Sequence, residues 1–177
     1  MDITNINKIA FKAHSELPQT LNKLLLERFV KYLPNDNIKR THLFNNRYEN
    51  IYLNEKHIPE LLSVIRCAIT FAETILGIKH LRAGYWFNHM PPNAITTLHT
   101  HDDADELLSA VYYIAAPEDS GNLIIYDDSE NAIDKKITIK AEAGKFIFFK
   151  PNVRHEVSTN NSDKHRLSIG MNFGLEK

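Results

Sequence analysis

Beyond Gly77, short runs of β-branched and aromatic residues alternate with turn-forming clusters, and no other feature of the sequence restricts the fold as strongly. Clusters such as Pro91-Pro92-Asn93, residues 117–121 and Pro151-Asn152 separate the runs. The predicted strands are residues 83–88, 94–101, 108–115, 123–126, 136–141, 145–149, 156–158 and 166–173. About eight short strands with this spacing predict a β-sandwich or a jelly-roll barrel.

The last predicted strand separates a polar face from an apolar face, because side chains alternate between the two faces of a strand. The polar face consists of Arg166, Ser168, Gly170 and Asn172 and carries a cation and a hydroxyl. The other face is apolar throughout and consists of Leu167, Ile169, Met171 and Phe173. A barrel whose polar inner face lines a ligand pocket would produce this pattern.

The first 80 residues contain two apolar stripes with helical spacing. The first runs from Leu21 to Leu33 between two prolines, and the second runs from Ile58 to Leu76 and is followed by Gly77. Each stripe predicts a helix, and residues 41–54 between them predict a loop with a short extended piece. We expect both helices to cover the apolar face of the larger sheet, which a sheet of this size cannot leave in water.

Composition is that of one globular domain and excludes several classes of function. Of the 177 residues 21 are basic and 22 acidic, so the chain lacks the basic excess that proteins binding nucleic acid through its phosphates usually show. No apolar run approaches the ~20 residues of a membrane-spanning helix, and the N-terminus does not resemble a signal peptide. We therefore expect a cytoplasmic protein with neither nucleic acid nor membrane as a partner, and its oligomeric state stays open. A mainly helical part, residues 1–80, and a β core, residues 81–175, would form a single domain 1–177.

The histidines suggest a metal site. His99, His101 and Asp103 are spaced two residues apart, so an extended chain would project all three side chains from one face. His155 follows a later predicted strand and a Pro-Asn turn. Two histidines and one carboxylate with open positions opposite form the facial triad of non-haem Fe(II) oxygenases. An isolated pair of histidines in an acidic loop is usually a surface feature, but the distant His155 and the Arg166 strand favour a metal site.

Several short motifs follow one another between residues 82 and 173, and their order and spacing are informative. They are Trp86-Phe87-Asn88, Pro92-Asn93, His99-Thr100-His101, Leu108-Ser109-Ala110-Val111-Tyr112-Tyr113, Ser120-Gly121-Asn122-Leu123, Ala143-Gly144-Lys145-Phe146-Ile147-Phe148-Phe149, His155 and Arg166-Leu167-Ser168. In that order they resemble 2-oxoglutarate/Fe(II)-dependent oxygenases of the prolyl-hydroxylase-like type. The resemblance implies a mainly β protein, a double-stranded β-helix of the jelly-roll or cupin-like kind flanked by N-terminal helices.

The same resemblance implies a set of site residues and co-substrates. It places the distal iron ligand on His155, the arginine that holds 2-oxoglutarate on Arg166, and its hydroxyl partner on Ser168. Tyr113 matches a tyrosine that often contacts the same carboxylate. The implied cofactors are Fe(II), 2-oxoglutarate and O2. The implied reaction is oxidative decarboxylation of 2-oxoglutarate coupled to hydroxylation of a small molecule or a protein side chain.

The sequence leaves the first pair of iron ligands open and departs from the family at Asn93, where relatives have glycine. Counting from Trp86 favours His99 and His101, whereas two-histidine, one-carboxylate chemistry favours His101 and Asp103. We expect three of His99, His101, Asp103 and His155 to bind the metal and the fourth to support a ligand. A carboxylate lowers the net charge of the site and suits Fe(II), which favours a set that includes Asp103.

Two other functions share parts of this pattern. A cupin-like metal-dependent dioxygenase or isomerase has the same barrel and a histidine-rich site but needs no keto acid. A non-catalytic β-barrel module would use the histidines for a structural or sensing metal. Neither needs a guanidinium and a hydroxyl on the strand after the distal histidine, so Arg166 with Ser168 favours the oxygenase.

Overall fold

The computed structural model describes residues 2–15, 17–101, 105–127 and 135–176. Within these segments two helices and a series of short strands follow one another. In chain order they are β1 (Asp2–Ile6), β2 (Ala10–His14), α1 (Gln19–Tyr32), β3 (Arg40–Phe44), β4 (Arg47–Ile51), α2 (Leu61–Leu76), β5 (Leu81–Met90), β6 (Thr96–His99), β7 (Leu108–Ala115), β8 (Leu123–Asp127), β9 (Lys135–Ile139), β10 (Lys145–Phe149), β11 (His155–Val157) and β12 (Arg166–Leu175).

The strands form two antiparallel sheets. The 8-stranded sheet has the order β1-β2-β10-β7-β12-β5-β4-β3, and the 4-stranded sheet has the order β6-β11-β8-β9. A buried core that includes Tyr113, Ile125 and Phe149 joins residues of both sheets. The predicted two-sheet architecture is therefore confirmed, and each predicted strand beyond Gly77 overlaps an observed one.

Both helices pack against the outer face of the larger sheet, as the apolar stripes predict. Phe29 of α1 and Phe71 of α2 are buried in one core with the apolar face of β12. The ring centroids of Phe71 and Phe146 of β10 are 5.7 Å apart. α2 ends at Gly77, whose φ of 67° gives the left-handed cap that a glycine adopts without strain. In the described part of the chain, no helix is long and apolar enough to cross a membrane.

Two hairpins in the first half extend the larger sheet beyond the sequence prediction. β1 and β2 pair with each other, and β2 also pairs with β10. The prediction of a loop with a short extended piece for residues 41–54 was incomplete, because β3 and β4 form a hairpin. Its turn residues Asn45 and Asn46 have φ values of 47° and 60°, as a two-residue type I′ turn requires. β4 pairs with β5 through Ile51 and Phe87, so the hairpin forms the edge of the larger sheet beside β5.

Candidate functional site

A cavity opens between the two sheets. Its lining comes from both sheets and combines imidazoles, one guanidinium, an amide, two hydroxyls and apolar residues: Trp86, Asn88, Thr96, His99, His101, Ala110, Val111, Leu123, Phe149, His155, Val157, Arg166, Ser168 and Gly170. The polar face predicted for β12 is therefore the inner face, since Arg166, Ser168 and Gly170 line the cavity. The apolar face of β12 packs in the core under the helices, which confirms the predicted division of this strand.

Three imidazoles meet in this cavity. His99 at the end of β6 is paired in register with His155 at the start of β11. His101 lies two residues beyond His99, where its backbone N–H donates to the Pro151 carbonyl at 2.7 Å. The three ring centroids are 4.2 to 4.9 Å apart. One ring nitrogen from each histidine lies within 4.8 Å of the others, the spacing of groups that can share one metal ion.

Backbone carbonyls orient two of these rings. Nδ1 of His99 lies 2.7 Å from the Thr97 carbonyl oxygen, and Nδ1 of His155 lies 2.8 Å from that of Val153. A carbonyl only accepts, so Nδ1 donates in both rings and Nε2 keeps its lone pair for a metal. Burial and the neighbouring His99 and His101 lower the pKa of His155 to about 3, which holds its imidazole in the neutral, ligating form.

Arg166 is buried in the same cavity at 1% exposure. Its Nη1 lies 3.4 Å from Ser168 Oγ and 3.2 Å from Met90 Sδ, and its guanidinium carbon lies 5.1 Å from the centre of the Tyr113 ring. Among the described residues, no hydrogen-bond partner reaches Arg166 Nε or the Tyr113 hydroxyl. Burial lowers the pKa of Arg166 and raises that of Tyr113, and the Arg166 charge opposes the rise for Tyr113. A buried guanidinium with an unused donor favours an anionic ligand.

The structure brings most of the predicted site residues together. His99, His101 and His155 form the imidazole cluster, and Arg166 and Ser168 line the same cavity. Tyr113, opposite Ser168 in the β7–β12 pairing, contacts the guanidinium through its ring. Asp103 lies outside the described residues, so its predicted part in the site stays a prediction.

Trp86 forms a wall of the cavity that the sequence analysis did not assign to the site. It lies opposite Gly170 in the β5–β12 pairing, and its ring centroid is 5.4 Å from that of His101. A Cβ added at Gly170 would come within 2.5 Å of Trp86 Cε2, so the indole lies where a side chain would otherwise project. A large residue and a glycine facing each other on paired strands are the sequence signal, but it is readable only once the register is known.

Arg47 fastens the β3–β4 hairpin to the rim of the cavity. Its guanidinium donates to the Asn88 Oδ1 at 3.3 Å, to the Ile95 carbonyl and to Glu49 Oε1 at 2.9 Å. Asn88 in turn donates to Thr96 Oγ1 at 3.2 Å. Burial lowers the pKa of Arg47, an effect that the adjacent Glu49 carboxylate opposes. The hairpin is thus held beside the imidazoles through this set of hydrogen bonds.

Comparison with known proteins was made at the level of sequence and of structure. Residues 84–172 match the family model described as "Putative 2OG-Fe(II) oxygenase". No curated protein matches the sequence significantly. A Pseudomonas putida prolyl-4-hydroxylase superposes with a TM-score of 0.69 at 18% identity, over 93% of this chain and 92% of that one.

Two further solved structures have the same fold. The α-ketoglutarate-dependent carbocyclase SnoK of nogalamycin biosynthesis superposes with a TM-score of 0.74 at 15% identity, over 94% of this chain and 79% of that one. EvdO2 from Micromonospora carbonacea, solved with 2-oxoglutarate, gives 0.69 at 14% identity, over 94% and 86%. These similarities confirm the predicted double-stranded β-helix.

Proposed function

This chain belongs to the family of 2-oxoglutarate and Fe(II)-dependent oxygenases, and on that premise we propose how its cavity holds the metal and the co-substrate. His99, His101 and His155 bind the iron, and Arg166 binds 2-oxoglutarate. The observation that carries the proposal is one cavity lined by three clustered imidazoles and by a buried guanidinium with an unused donor. When bound, Fe(II) and 2-oxoglutarate supply the oxidative decarboxylation that activates O2 for transfer of an oxygen atom to a substrate.

The imidazole cluster fits iron on the chemistry of its donors. Neutral imidazole is a ligand that suits Fe(II), and the carbonyl contacts of His99 and His155 leave Nε2 of each ring free to bind it. The pairing of His99 with His155 across β6 and β11 brings two of the proposed ligands together. We therefore propose a three-histidine centre, in which Asp103 would support a ligand rather than bind the iron.

Arg166 fits the carboxylate of 2-oxoglutarate that lies away from the metal. A guanidinium can form two parallel hydrogen bonds with a carboxylate, and Ser168 Oγ beside it offers a third donor. The Tyr113 hydroxyl, buried and still protonated because its pKa is raised, is a further donor in the same region. Apolar side chains such as Leu123, Phe149 and Val157 line the same cavity.

The structural neighbours indicate a broad substrate class. A prolyl hydroxylase of the same fold was solved with a peptide fragment, and the epimerase SnoN was solved with Fe3+, α-ketoglutarate and a nogalamycin. We propose that this enzyme likewise oxidises a small molecule or a peptide side chain, by hydroxylation. A cupin-like enzyme without keto acid would not need the buried Arg166 beside Ser168.

Metal stoichiometry in single variants tests the ligand set. We expect the parent protein to bind one equivalent of Fe(II), or of Mn(II) as an inert substitute, and His99→Ala, His101→Ala and His155→Ala each to lose stoichiometric binding. Asp103→Ala should keep it and weaken affinity by the ~10–100-fold typical of a supporting residue. The exposed His80 provides the matched control, and His80→Asn should bind as the parent does.

The opposite result would change the assignment. Loss of metal in Asp103→Ala together with tight binding in His99→Ala would establish the two-histidine, one-carboxylate set. Unchanged binding in His155→Ala would refute the cluster as the metal centre.

A further inference from the structure

A second, larger cavity adjoins the imidazole cluster. It shares Trp86, His99 and His101 with the inner cavity, and the β3–β4 hairpin and the end of β12 supply other parts of its wall. We call it the mouth. A molecule in the mouth lies directly against two of the three clustered imidazoles, so in the proposed oxygenase this is the place for the substrate.

Carboxylates outnumber cationic side chains in the described lining of the mouth, although one of them is paired with an arginine just outside it. Glu49 and Glu106 contribute carboxylates, and none of the described lining residues is a lysine or arginine. His42 is also in the lining, and its Nδ1 lies 3.1 Å from Asn50 Nδ2, a donor.

Glu49 keeps the capacity to bind a ligand although Arg47 holds it. The ion pair joins Arg47 to Glu49 Oε1 at 2.9 Å, and Arg47 does not line the mouth. A carboxylate has two oxygens and about four acceptor sites, of which this contact uses one. Arg47 therefore fixes the position of the Glu49 carboxylate, which can still accept hydrogen bonds from a ligand.

An aromatic surface accompanies these carboxylates. Trp86 lines both cavities, and tryptophan is the side chain whose ring face attracts a cation most strongly. Asn172, also in the lining, is held by Ser109, whose hydroxyl donates to Asn172 Oδ1 at 2.8 Å. Carboxylates, an indole and a positioned amide together form a surface that suits an ammonium group better than an anion.

The two cavities thus differ in the charged side chains of their described lining. The inner one holds Arg166 as its charged residue, whereas the mouth holds Glu49 and Glu106. We propose that the mouth selects a substrate carrying a positively charged amine, bound by Glu49 and Glu106 against Trp86, while the anionic co-substrate is directed to Arg166. This inference rests on the proposed function, because it takes the molecule in the mouth to be the substrate.

Trp86 is the single tryptophan of the chain, so its fluorescence reports occupancy of the mouth. The experiment titrates Mn(II)- and 2-oxoglutarate-loaded protein with butylammonium, 1-butanol and butyrate, which share a four-carbon chain and differ in terminal charge. We expect butylammonium to saturate the signal with a dissociation constant at least roughly tenfold below that of either other probe. Added salt should weaken butylammonium and leave butanol unchanged.

Variants assign the preference to the two carboxylates. Glu49→Gln and Glu106→Gln should each weaken butylammonium by about threefold or more without changing butanol, because each removes a charge and keeps the shape. Glu118→Gln, at an exposed turn, removes the same charge elsewhere and should bind butylammonium as the parent does. Glu106→Gln also serves if the loss of the Arg47 ion pair prevents Glu49→Gln from folding.

The outcomes separate this inference from the proposed function. Similar constants for the three probes, no saturation by butylammonium, tighter binding of butyrate, or unchanged affinity in both variants would overturn the inference, even if metal and 2-oxoglutarate bind. If metal or 2-oxoglutarate fails to bind, the proposed function fails. The same titration on metal-free protein then still supports or overturns a cation-selective mouth.

Discussion

Replacement of Arg166 by methionine should separate co-substrate binding from folding. Methionine fills much of the same volume with an apolar chain, so a change in binding reports loss of the guanidinium rather than a new cavity. Arg166 is 1% exposed, and among the described residues no ion pair compensates its charge. Folding therefore buries this cation at a cost, and the cost is recovered when an anion binds.

The expected effect on 2-oxoglutarate is large. Hydrogen bonds to charged groups contribute about 1.5–3 kcal/mol each. Loss of one such contact raises the dissociation constant by roughly 10- to 100-fold, since ~1.4 kcal/mol is a factor of ten. Arg166→Lys keeps the charge without the planar fork and should fall between the parent and Arg166→Met. Metal binding should not change, because Arg166 is not among the clustered imidazoles.

Thermal unfolding of Mn(II)-loaded protein measures both consequences. At a 2-oxoglutarate concentration of about 100 times its dissociation constant, the parent gains ~2.7 kcal/mol, or a rise in Tm of roughly 5–10 °C. At the same concentration a tenfold weaker variant gains only ~1.4 kcal/mol. Without 2-oxoglutarate, Arg166→Met should unfold at the parent's temperature or above it, because a buried unpaired charge is removed.

A surface substitution supplies the control, and two results would refute the reasoning. Arg28 on α1 is partly exposed and pairs with Glu60, so Arg28→Met should keep the full shift caused by 2-oxoglutarate. A full shift in Arg166→Met would show that the guanidinium does not bind the co-substrate. A fall of several degrees in the Tm of ligand-free Arg166→Met would show that Arg166 is instead a structural residue of the core.

Three further predictions concern glycines and a histidine of the larger sheet and its loops. Gly170→Ala should displace Trp86, changing its fluorescence and weakening butylammonium, because the added Cβ would lie 2.5 Å from the indole. Gly121→Ala should lower the free energy of unfolding by about 1–3 kcal/mol, because the φ of Gly121 is +95° and an added Cβ would lie 2.4 Å from the Ser158 carbonyl oxygen. Gly84→Ala is the control, since the nearest atom to its added Cβ is 4.0 Å away, and it should be nearly neutral in denaturant unfolding. Burial and the nearby His165 lower the pKa of His89 to about 4. Between pH ~6.5 and 4 the unfolded chain therefore binds a proton at His89 that the folded chain does not. As the pH is lowered through this range, the free energy of unfolding decreases by up to ~1.4 kcal/mol per pH unit. His89→Gln should remove this contribution to the slope in urea titrations and leave that of His155, whose pKa is also lowered. An unchanged slope would contradict the prediction.

The β core was predictable because its strands carry a strong local signal. The predicted bounds 108–115 and 145–149 coincide with β7 and β10, whose apolar side chains are buried on both faces. The division of β12 followed from strict alternation, which needs no knowledge of neighbouring strands. The site residues on that face, Arg166 and Ser168, were therefore accessible from the sequence.

The remaining parts of the fold and the site depend on tertiary pairing. β1 is polar and mostly exposed, so its pairing with β2 and the pairing of β2 with β10 leave no hydrophobic period to read. The asparagine pair at 45–46 was a hairpin signal, but the polar strands on either side hid it. Glu49 and Glu106 meet in the mouth from distant parts of the chain, and Trp86 requires the β5–β12 register. No local pattern contains those relations.

Addition of 2-oxoglutarate to Fe(II)-loaded protein without oxygen tests the central claim most directly. Chelation of the iron by the keto acid gives a visible charge-transfer absorption, which requires metal and co-substrate in one site. We predict a band that saturates at one co-substrate per protein in the parent and in His80→Asn, requires far more 2-oxoglutarate in Arg166→Met, and is absent in His155→Ala. A parent protein that binds Fe(II) but develops no band would contradict the account.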